Sequence, residues 1–105
     1  VYGMPCDVHA IDTLAHQRQL KVIYDGAHAF GTQLDGQPIV QHGDATMLSF
    51  HATKLFHSAE GGALCMADPD LKKQVDLLKN FGIKNEEEVL LPGINGKMCE
   101  FKSRS

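Results

Sequence analysis

Two short stretches of the sequence place reactive side chains directly after apolar runs. The hydroxyl of Ser49 and the amine of Lys54 follow the run at 45–50, and the carboxylate of Asp25 and the imidazole of His28 follow the run at 20–24. Short apolar runs of this kind predict buried strands. Because strand ends are rigid and loops expose reactive groups, we expect these four side chains to meet at adjoining strand ends.

Lys54 has the clearest chemical potential of the four. It is the only lysine between Lys21 and Lys72, and apolar residues crowd it in the sequence. A poorly solvated amine is the nucleophile that a Schiff-base lysine requires. The simpler interpretation is a surface lysine in a loop, and the residues around Lys54 leave both interpretations open.

The order and spacing of the two stretches resemble a known enzyme family. Asp25-Gly-Ala-His28 after one strand and Ser49-Phe-His-Ala-Thr-Lys54 after the next are similar to motifs of the DegT/DnrJ/EryC1/StrS sugar aminotransferases, which use pyridoxal phosphate (PLP). The resemblance runs from Pro5-Cys-Asp7 to the stretch at 93–101 and includes Glu-Gly-Gly at 60–62.

The resemblance implies a role for each matching residue. Lys54 would hold the PLP aldehyde and act as base and acid in the proton shift, while Asp25 would keep the pyridine nitrogen protonated. His28 would contact the ring or its phenolic oxygen, and Ser49 would bind the phosphate. Asn95 would reach the phosphate of a neighbouring subunit's cofactor, a role that requires a homodimer.

Each of these residues also has an ordinary structural interpretation. Asp25 could cap the turn that follows its strand, and His28 could be a loop histidine that hydrogen-bonds to the backbone. Ser49 could be satisfied within the sheet, and Asn95 stands in an Asn-Gly turn dipeptide. The combination with Lys54 favours the catalytic interpretation.

The predicted fold is α/β, with a mostly parallel sheet and flanking helices. The resemblance makes residues 1–105 the central part of the PLP-binding large domain of a fold-type I transferase, without the N-terminal part and the small C-terminal domain. The patterns predict a helix capped by Asp7, a second helix capped by Asp68 and closed by Gly82, and a helix start at 97–101. They predict strands at 20–24, 45–50 and 63–67, and a small antiparallel excursion at 32–34 and 38–40 around Asp35-Gly36.

Composition argues against several other classes of function. The net charge of −3 and the lack of a basic stripe argue against nucleic-acid binding. No apolar run approaches the roughly 20 residues that cross a bilayer. The three cysteines are odd in number and far apart, which favours a reducing cytoplasm, and no metal site is expected because zinc-type spacings are missing.

The full-length protein is therefore predicted to transfer an amino group, with glutamate as donor, to a nucleotide-linked keto-deoxysugar in surface-polysaccharide or deoxysugar biosynthesis. Two alternatives remain. One is a non-catalytic α/β fragment. The other is a PLP-dependent sugar dehydratase relative, in which histidine replaces the lysine, and Lys54 favours transamination over it. The 105-residue chain alone is expected to be inactive or nearly so.

Overall fold

A three-stranded sheet forms the centre of the described structure, a computed structural model that describes residues 3–96. The strand order is β1–β4–β5, with β1 and β4 parallel and β4 and β5 antiparallel. The strands are β1 Ile23–Asp25, β2 Gln33–Leu34, β3 Gln37–Pro38, β4 Ala45–Ser49 and β5 Gly62–Cys65. The α/β class is confirmed. The sequence predicted mostly parallel pairing, whereas this sheet is mixed because the loop at 50–61 returns the chain directly beside β4.

The first helix, α1, spans Val8–Arg18 and begins where predicted. The Asp7 side chain caps it by accepting a hydrogen bond of 3.0 Å from a backbone N–H of the first turn. Val8 and Ala15 are buried, as the helical spacing indicates. Leu14, next to Ala15 in the sequence, is 53% exposed, so the buried face of α1 is narrow.

The strand that carries Asp25 is displaced from its predicted position. The apolar run predicted a strand at 20–24, whereas β1 begins at Ile23 and ends on Asp25. Leu20 is still part of the helix-to-strand connection, since its N–H donates to the carbonyl of Ala15 at the end of α1. Apolar residues can continue past the end of regular pairing, so a run alone sets strand bounds only approximately.

The small antiparallel excursion around Asp35-Gly36 is confirmed, but its second strand is Gln37–Pro38 and not 38–40, because Ile39–Gln41 form a 3₁₀-helix. β2 and β3 pair with Gln33 opposite Pro38 and Leu34 opposite Gln37. Asp35 and Gly36 join them with φ values of 52° and 77°. Both central residues of a tight hairpin turn need positive φ, which explains why Asp-Gly stands there.

The residues divide into two compact units, Val1–Ala67 and Asp68–Ser105. The first contains the sheet and a small core, whose buried apolar side chains are Val8, Ala15, Ala45 and Leu48. Thr46, on the central strand, is only 1% exposed, and its hydroxyl donates to the carbonyl of His42 over 3.2 Å. This bond satisfies a polar group that would otherwise be costly to bury.

The second unit contains the second predicted helix. This helix, α2, spans Pro69–Lys79, and the Asp68 carboxylate caps it by accepting a hydrogen bond of 2.8 Å from the N–H of Asp70. Gly82 has a φ of 75°, and its N–H donates to the carbonyl of Leu77 over 2.7 Å. Both end signals therefore act as predicted.

One prediction, the helix start at 97–101, concerns residues outside the described range. Within residues 3–96, neither helix has the length and apolar character that a bilayer crossing requires.

Candidate active site

Asp25 and Ser49 occupy equivalent ends of neighbouring strands. Asp25 is the last residue of β1 and Ser49 the last residue of β4, and the two strands are parallel. Asp25 lies opposite Met47, so Ser49 extends two residues further along the same edge. The loop at 50–61, here called the lysine loop, leaves from this edge and carries Lys54. The expected meeting of two strand ends is therefore present.

A tight turn after β1 directs the chain from Asp25 to His28. The carboxylate Oδ1 of Asp25 accepts a hydrogen bond of 3.0 Å from the N–H of Ala27. Gly26 lies against β4, where its N–H donates to the Met47 carbonyl over 2.8 Å. A Cβ at position 26 would approach that carbonyl oxygen to 2.8 Å, so only glycine fits without displacement.

His28 and Lys54 are in direct contact. The Nζ of Lys54 lies 2.8 Å from the Nε2 of His28, although 26 positions separate them in the sequence. Lys54 is half-buried and His28 is exposed. An ammonium group has only donors, so Lys54 donates and His28 Nε2 accepts when the lysine is charged.

Two cavities adjoin this pair. The first, of about 200 Å³, is lined by Ala27, His28, Phe30, Thr53, Lys54 and Leu55. The second, of about 280 Å³, has Asp25, His28 and Tyr24 among its lining residues. His28 lines both cavities, the first together with Lys54 and the second together with Asp25.

Tyr24 is a lining residue that the sequence analysis did not select. Partial burial, supported by the nearby carboxylate of Asp12, raises the pKa of Tyr24 to about 12. Its hydroxyl also donates to Asp12 over 3.4 Å. Tyr24 is therefore a neutral part of the cavity wall at any physiological pH. In the sequence, Tyr24 is one residue of the apolar run at 20–24, and nothing in that run marks it as part of a cavity wall.

Three phenylalanines join the two loops that carry His28 and Lys54. Phe30 and Phe56 are stacked, with ring centres 4.6 Å apart and planes within 11°. Phe50 meets Phe56 edge-to-face at 5.3 Å. Offset and edge-to-face pairs of this kind are stabilising. The aromatic cluster therefore helps to hold the His28 loop against the lysine loop.

The lysine loop also contains a cluster of three polar side chains near Lys54 in the sequence. The Nδ1 of His51 lies 2.9 Å from the hydroxyl of Thr53, and the carboxylate of Glu60 lies 3.6 Å from the His51 Nε2. The sequence analysis assigned none of these residues a role. Their one signal in the sequence is that His51 and Glu60 bracket the lysine.

The available groups fit PLP. An amine, an imidazole and a carboxylate line two cavities that share His28, and an amine and a carboxylate are groups that the cofactor needs. The second carboxylate oxygen of Asp25 accepts no hydrogen bond from residues 3–96, so it is available for a pyridinium N–H. The hydroxyl oxygen of Ser49 accepts only a long bond of 3.4 Å from the N–H of His51 and can still donate to a phosphate.

Asn95 belongs to the second unit and is described separately from these residues. It forms an isolated antiparallel bridge with Asn80, and its side chain is exposed. Its expected role toward a neighbouring subunit stays a prediction. Within residues 3–96, no group of three or more potential metal ligands occurs.

Solved structures share this arrangement of strands and helices. DesI, solved with its TDP-sugar product, matches with a TM-score of 0.88 and 37% identity over 97% of this chain and 26% of DesI. The Streptococcus pneumoniae protein Spr1654 in its PLP form matches with a TM-score of 0.86 and 25% identity, over 98% of this chain and 32% of that protein. The fold is that of the fold-type I PLP-dependent sugar aminotransferases.

Sequence comparison identifies the family. A sequence model of the DegT/DnrJ/EryC1/StrS aminotransferase family matches residues 1–104, and the chain belongs to this family. The dTDP-4-amino-4,6-dideoxy-D-glucose transaminase of Shigella dysenteriae is 50% identical over 99 residues, which are 94% of this chain and 27% of that relative. The chain thus spans roughly a quarter of the length of the curated relatives it matches.

Proposed function

We propose that the full-length protein containing this chain is a PLP-dependent aminotransferase that acts on a nucleotide-linked keto-deoxysugar. The observation that carries the proposal is the 2.8 Å contact between Lys54 Nζ and His28 Nε2. His28 lines one cavity with Lys54 and a second cavity with Asp25. Residues 1–105 are proposed to be the central part of its PLP-binding large domain.

Lys54 is the proposed catalytic lysine. PLP, when bound, withdraws electrons from the amine-bearing carbon of a substrate. The Lys54 Nζ would hold the cofactor at its aldehyde carbon. Once released by a substrate amine, the same nitrogen would take the proton from the donor's amine-bearing carbon. Its half-buried position limits competing hydration of the amine.

Asp25, His28 and Ser49 are the proposed cofactor-binding residues. The second carboxylate oxygen of Asp25 would accept a hydrogen bond from the protonated pyridine nitrogen and favour its charged form. The imidazole of His28, fixed by the turn at Gly26, would lie against the ring. The hydroxyl of Ser49 would donate to the phosphate.

Membership of the family supports a proposal for the substrate and for the partner. The relative from Shigella dysenteriae carries a dTDP-linked amino sugar in its name, so a dTDP-linked keto-deoxysugar is the first acceptor to test, with glutamate as amino donor. We also propose that the protein is a cytoplasmic homodimer in which Asn95 binds the neighbouring subunit's cofactor. Its product would serve surface-polysaccharide or deoxysugar biosynthesis.

The test follows cofactor attachment to Lys54. The full-length protein is mixed with PLP, the absorbance band of lysine-bound cofactor is recorded, and the adduct is reduced with borohydride and located by peptide mass spectrometry. We expect the band and a reduced adduct on Lys54, and no band in the K54A variant because the attaching amine is gone. The K73A variant, which changes an exposed lysine of α2 paired with Asp70, is the control and should behave as wild type.

Two results would contradict the proposal. One is the lack of a lysine-bound band in the wild-type protein at saturating PLP. The other is a band that persists in K54A with the adduct on a different lysine. If attachment occurs but dTDP-linked and UDP-linked keto sugars are not aminated with glutamate, the cofactor assignment stands and the substrate assignment is wrong.

A further inference from the structure

The lysine loop is held by backbone hydrogen bonds on both sides of Lys54. The N–H of Phe50 donates to the carbonyl of Gly61 over 2.8 Å, and the N–H of Ala52 donates to the carbonyl of Ala59, also over 2.8 Å. These bonds continue the pairing of β4 with β5, in which Ser49 lies opposite Gly62. They fix the base of the loop and leave the turn at 51–54 to be fixed by other groups.

The turn at 51–54 is closed by both the backbone and the side chain of His51. The N–H of Lys54 donates to the His51 carbonyl over 2.9 Å. The N–H of Thr53 donates to the His51 Nδ1 over 3.3 Å, and the Thr53 hydroxyl lies 2.9 Å from the same nitrogen. A side chain that accepts from the N–H two residues ahead forms a turn like that of asparagine or aspartate. The His51 side chain therefore has the role that asparagine or aspartate has in an Asx turn, and Lys54 follows at the end of this turn.

The hydrogen bond from the N–H of Thr53 to His51 Nδ1 determines which nitrogen of the neutral His51 ring carries the proton. A nitrogen that accepts an N–H bond carries no proton of its own, so the neutral ring carries its proton on Nε2. The Glu60 carboxylate oxygen lies 3.6 Å from that Nε2. A carboxylate on one side of an imidazole favours the tautomer that leaves the other nitrogen as an acceptor. Glu60 thus supports the form of His51 that the turn needs.

The position of Glu60 is also fixed. Its N–H donates to the carbonyl of Ser58 over 2.8 Å, and its carbonyl accepts a hydrogen bond of 3.1 Å from the Ser58 hydroxyl. The N–H of Ser58 in turn donates to the carbonyl of Phe50. These bonds place Glu60 on the same side of the loop as His51.

We infer that Glu60, His51 and Thr53 form a positioning network that fixes the turn from which Lys54 reaches the cofactor. We assign all three as positioning residues because the side-chain contacts that define the network lie within the lysine loop. The inference rests on the proposed function in one respect only, namely that Lys54 is the attachment point. The turn itself is a property of the protein without cofactor.

The first experiment measures the turn without cofactor. Amide hydrogen exchange is followed at Thr53 and Lys54 in the full-length protein, as wild type and as H51A, H51N and H57A. We expect about tenfold faster exchange in H51A, because one turn hydrogen bond is lost. In H51N, the amide oxygen restores the acceptor, and exchange should stay within about threefold of wild type. His57 lies exposed on the same loop and hydrogen-bonds to no residue among 3–96, so H57A should match wild type.

The second experiment measures the rate at which the absorbance of lysine-bound PLP appears. We expect about tenfold slower attachment in H51A, rescue in H51N and wild-type behaviour in H57A. The E60A variant should slow attachment about threefold, since His51 and Glu60 are both largely exposed and such pairs are weak. The E60Q variant keeps an acceptor oxygen and should recover most of that loss.

The outcomes separate the inference from the proposed function. If H51A matches wild type in exchange and attachment, or if H51N is as impaired as H51A, the network does not position the turn. If wild-type protein forms no lysine-bound cofactor, the proposed function fails, while the exchange measurement still tests the network. Should H51A not fold, T53V provides the comparison, because it removes the hydroxyl contact with little change of shape and should slow attachment about threefold.

Discussion

Among single residues, Asp44 shows how one carboxylate anchors the strand that carries the proposed pyridine partner. Its Oδ2 accepts a hydrogen bond of 2.8 Å from the N–H of Val22, and its Oδ1 accepts one of 2.9 Å from the Lys21 ammonium. Mainly the backbone bond, and then the lysine, hold the pKa of Asp44 below its ordinary value. Since β1 runs from Ile23 to Asp25, Asp44 fixes the beginning of β1, and Asp25 lies at its other end.

The lowered pKa of Asp44 predicts how stability depends on pH. A carboxyl group whose folded-state pKa is depressed stabilises the fold above its unfolded pKa of about 4 and loses that contribution as pH falls through the folded value. We expect D44N to lower the free energy of unfolding at pH 7, and the gap between D44N and wild type to close toward pH 2. Urea denaturation followed by circular dichroism at several pH values measures this gap.

The control for Asp44 is E86Q, which changes an exposed carboxylate of the loop at 85–88 in the second unit. Its free energy of unfolding should follow that of wild type throughout the same pH range. A D44N gap that is equally large at pH 7 and pH 2 would show that the charge of Asp44 is not what stabilises the start of β1.

Among the elements, the turn after β1 is the piece of backbone on which the site depends most. Gly26 lies so close to β4 that a Cβ would stand 2.8 Å from the Met47 carbonyl and 2.9 Å from the Thr46 methyl. The turn fixes the carboxylate of Asp25 on one side and the imidazole of His28 on the other. Any displacement of Gly26 therefore moves two proposed cofactor-binding groups at once.

We expect G26A to weaken PLP binding by at least about tenfold, because the turn must shift away from β4. Equilibrium titration of the full-length protein with PLP measures the dissociation constant. The matched control is G31A in the following loop, where a Cβ would meet nothing within 4 Å but φ is 75°. Both variants should lose stability, the control through backbone strain. G31A should nevertheless bind PLP within about threefold of wild type, and equal losses of affinity would refute the role of Gly26.

The elements also show why patterns along the chain predict helices better than strands. Asp7 and Asp68 cap helices where expected, because capping depends on residues two or three positions apart. β1 begins at Ile23 rather than at position 20, because strand ends depend on the partner that supplies the hydrogen bonds. The antiparallel placement of β5 likewise depends on how the lysine loop folds.

For the whole molecule, the core of the described residues is small. Four apolar side chains are buried within residues 3–96, whereas Ile23 on β1 is 73% exposed and Leu55 beside Lys54 is 92% exposed. A fold that buries little apolar surface has little free energy with which to offset the entropy of the chain. The match covers 27% of the Shigella dysenteriae relative, so that relative is about four times longer and has more residues to pack around the same elements.

The 105-residue chain alone is therefore expected to be inactive and marginally stable, whereas the full-length protein is expected to be active. Amino transfer from glutamate to a dTDP-linked keto sugar, measured for both at equal concentration, tests the first expectation. Thermal unfolding followed by circular dichroism tests the second, and the isolated chain should melt at a lower temperature than the full-length protein. Turnover by the isolated chain at a comparable rate would contradict the prediction.

The sequence by itself determined the α/β class, the family, the helix caps, the Asp35-Gly36 hairpin and the candidate residues Asp25, His28, Ser49 and Lys54. The helix caps and the hairpin follow from residue types at short, fixed spacings, since local conformation depends on near neighbours in the chain. The family and the candidate residues follow from the resemblance of two motifs, in their order along the chain, to those of the aminotransferases. Only the tertiary structure placed Lys54 Nζ 2.8 Å from His28 Nε2 and His51 beside Glu60. Such contacts join separate loops, and their distances are set by strand register, by the close approach at Gly26 and by aromatic packing, which no local pattern specifies.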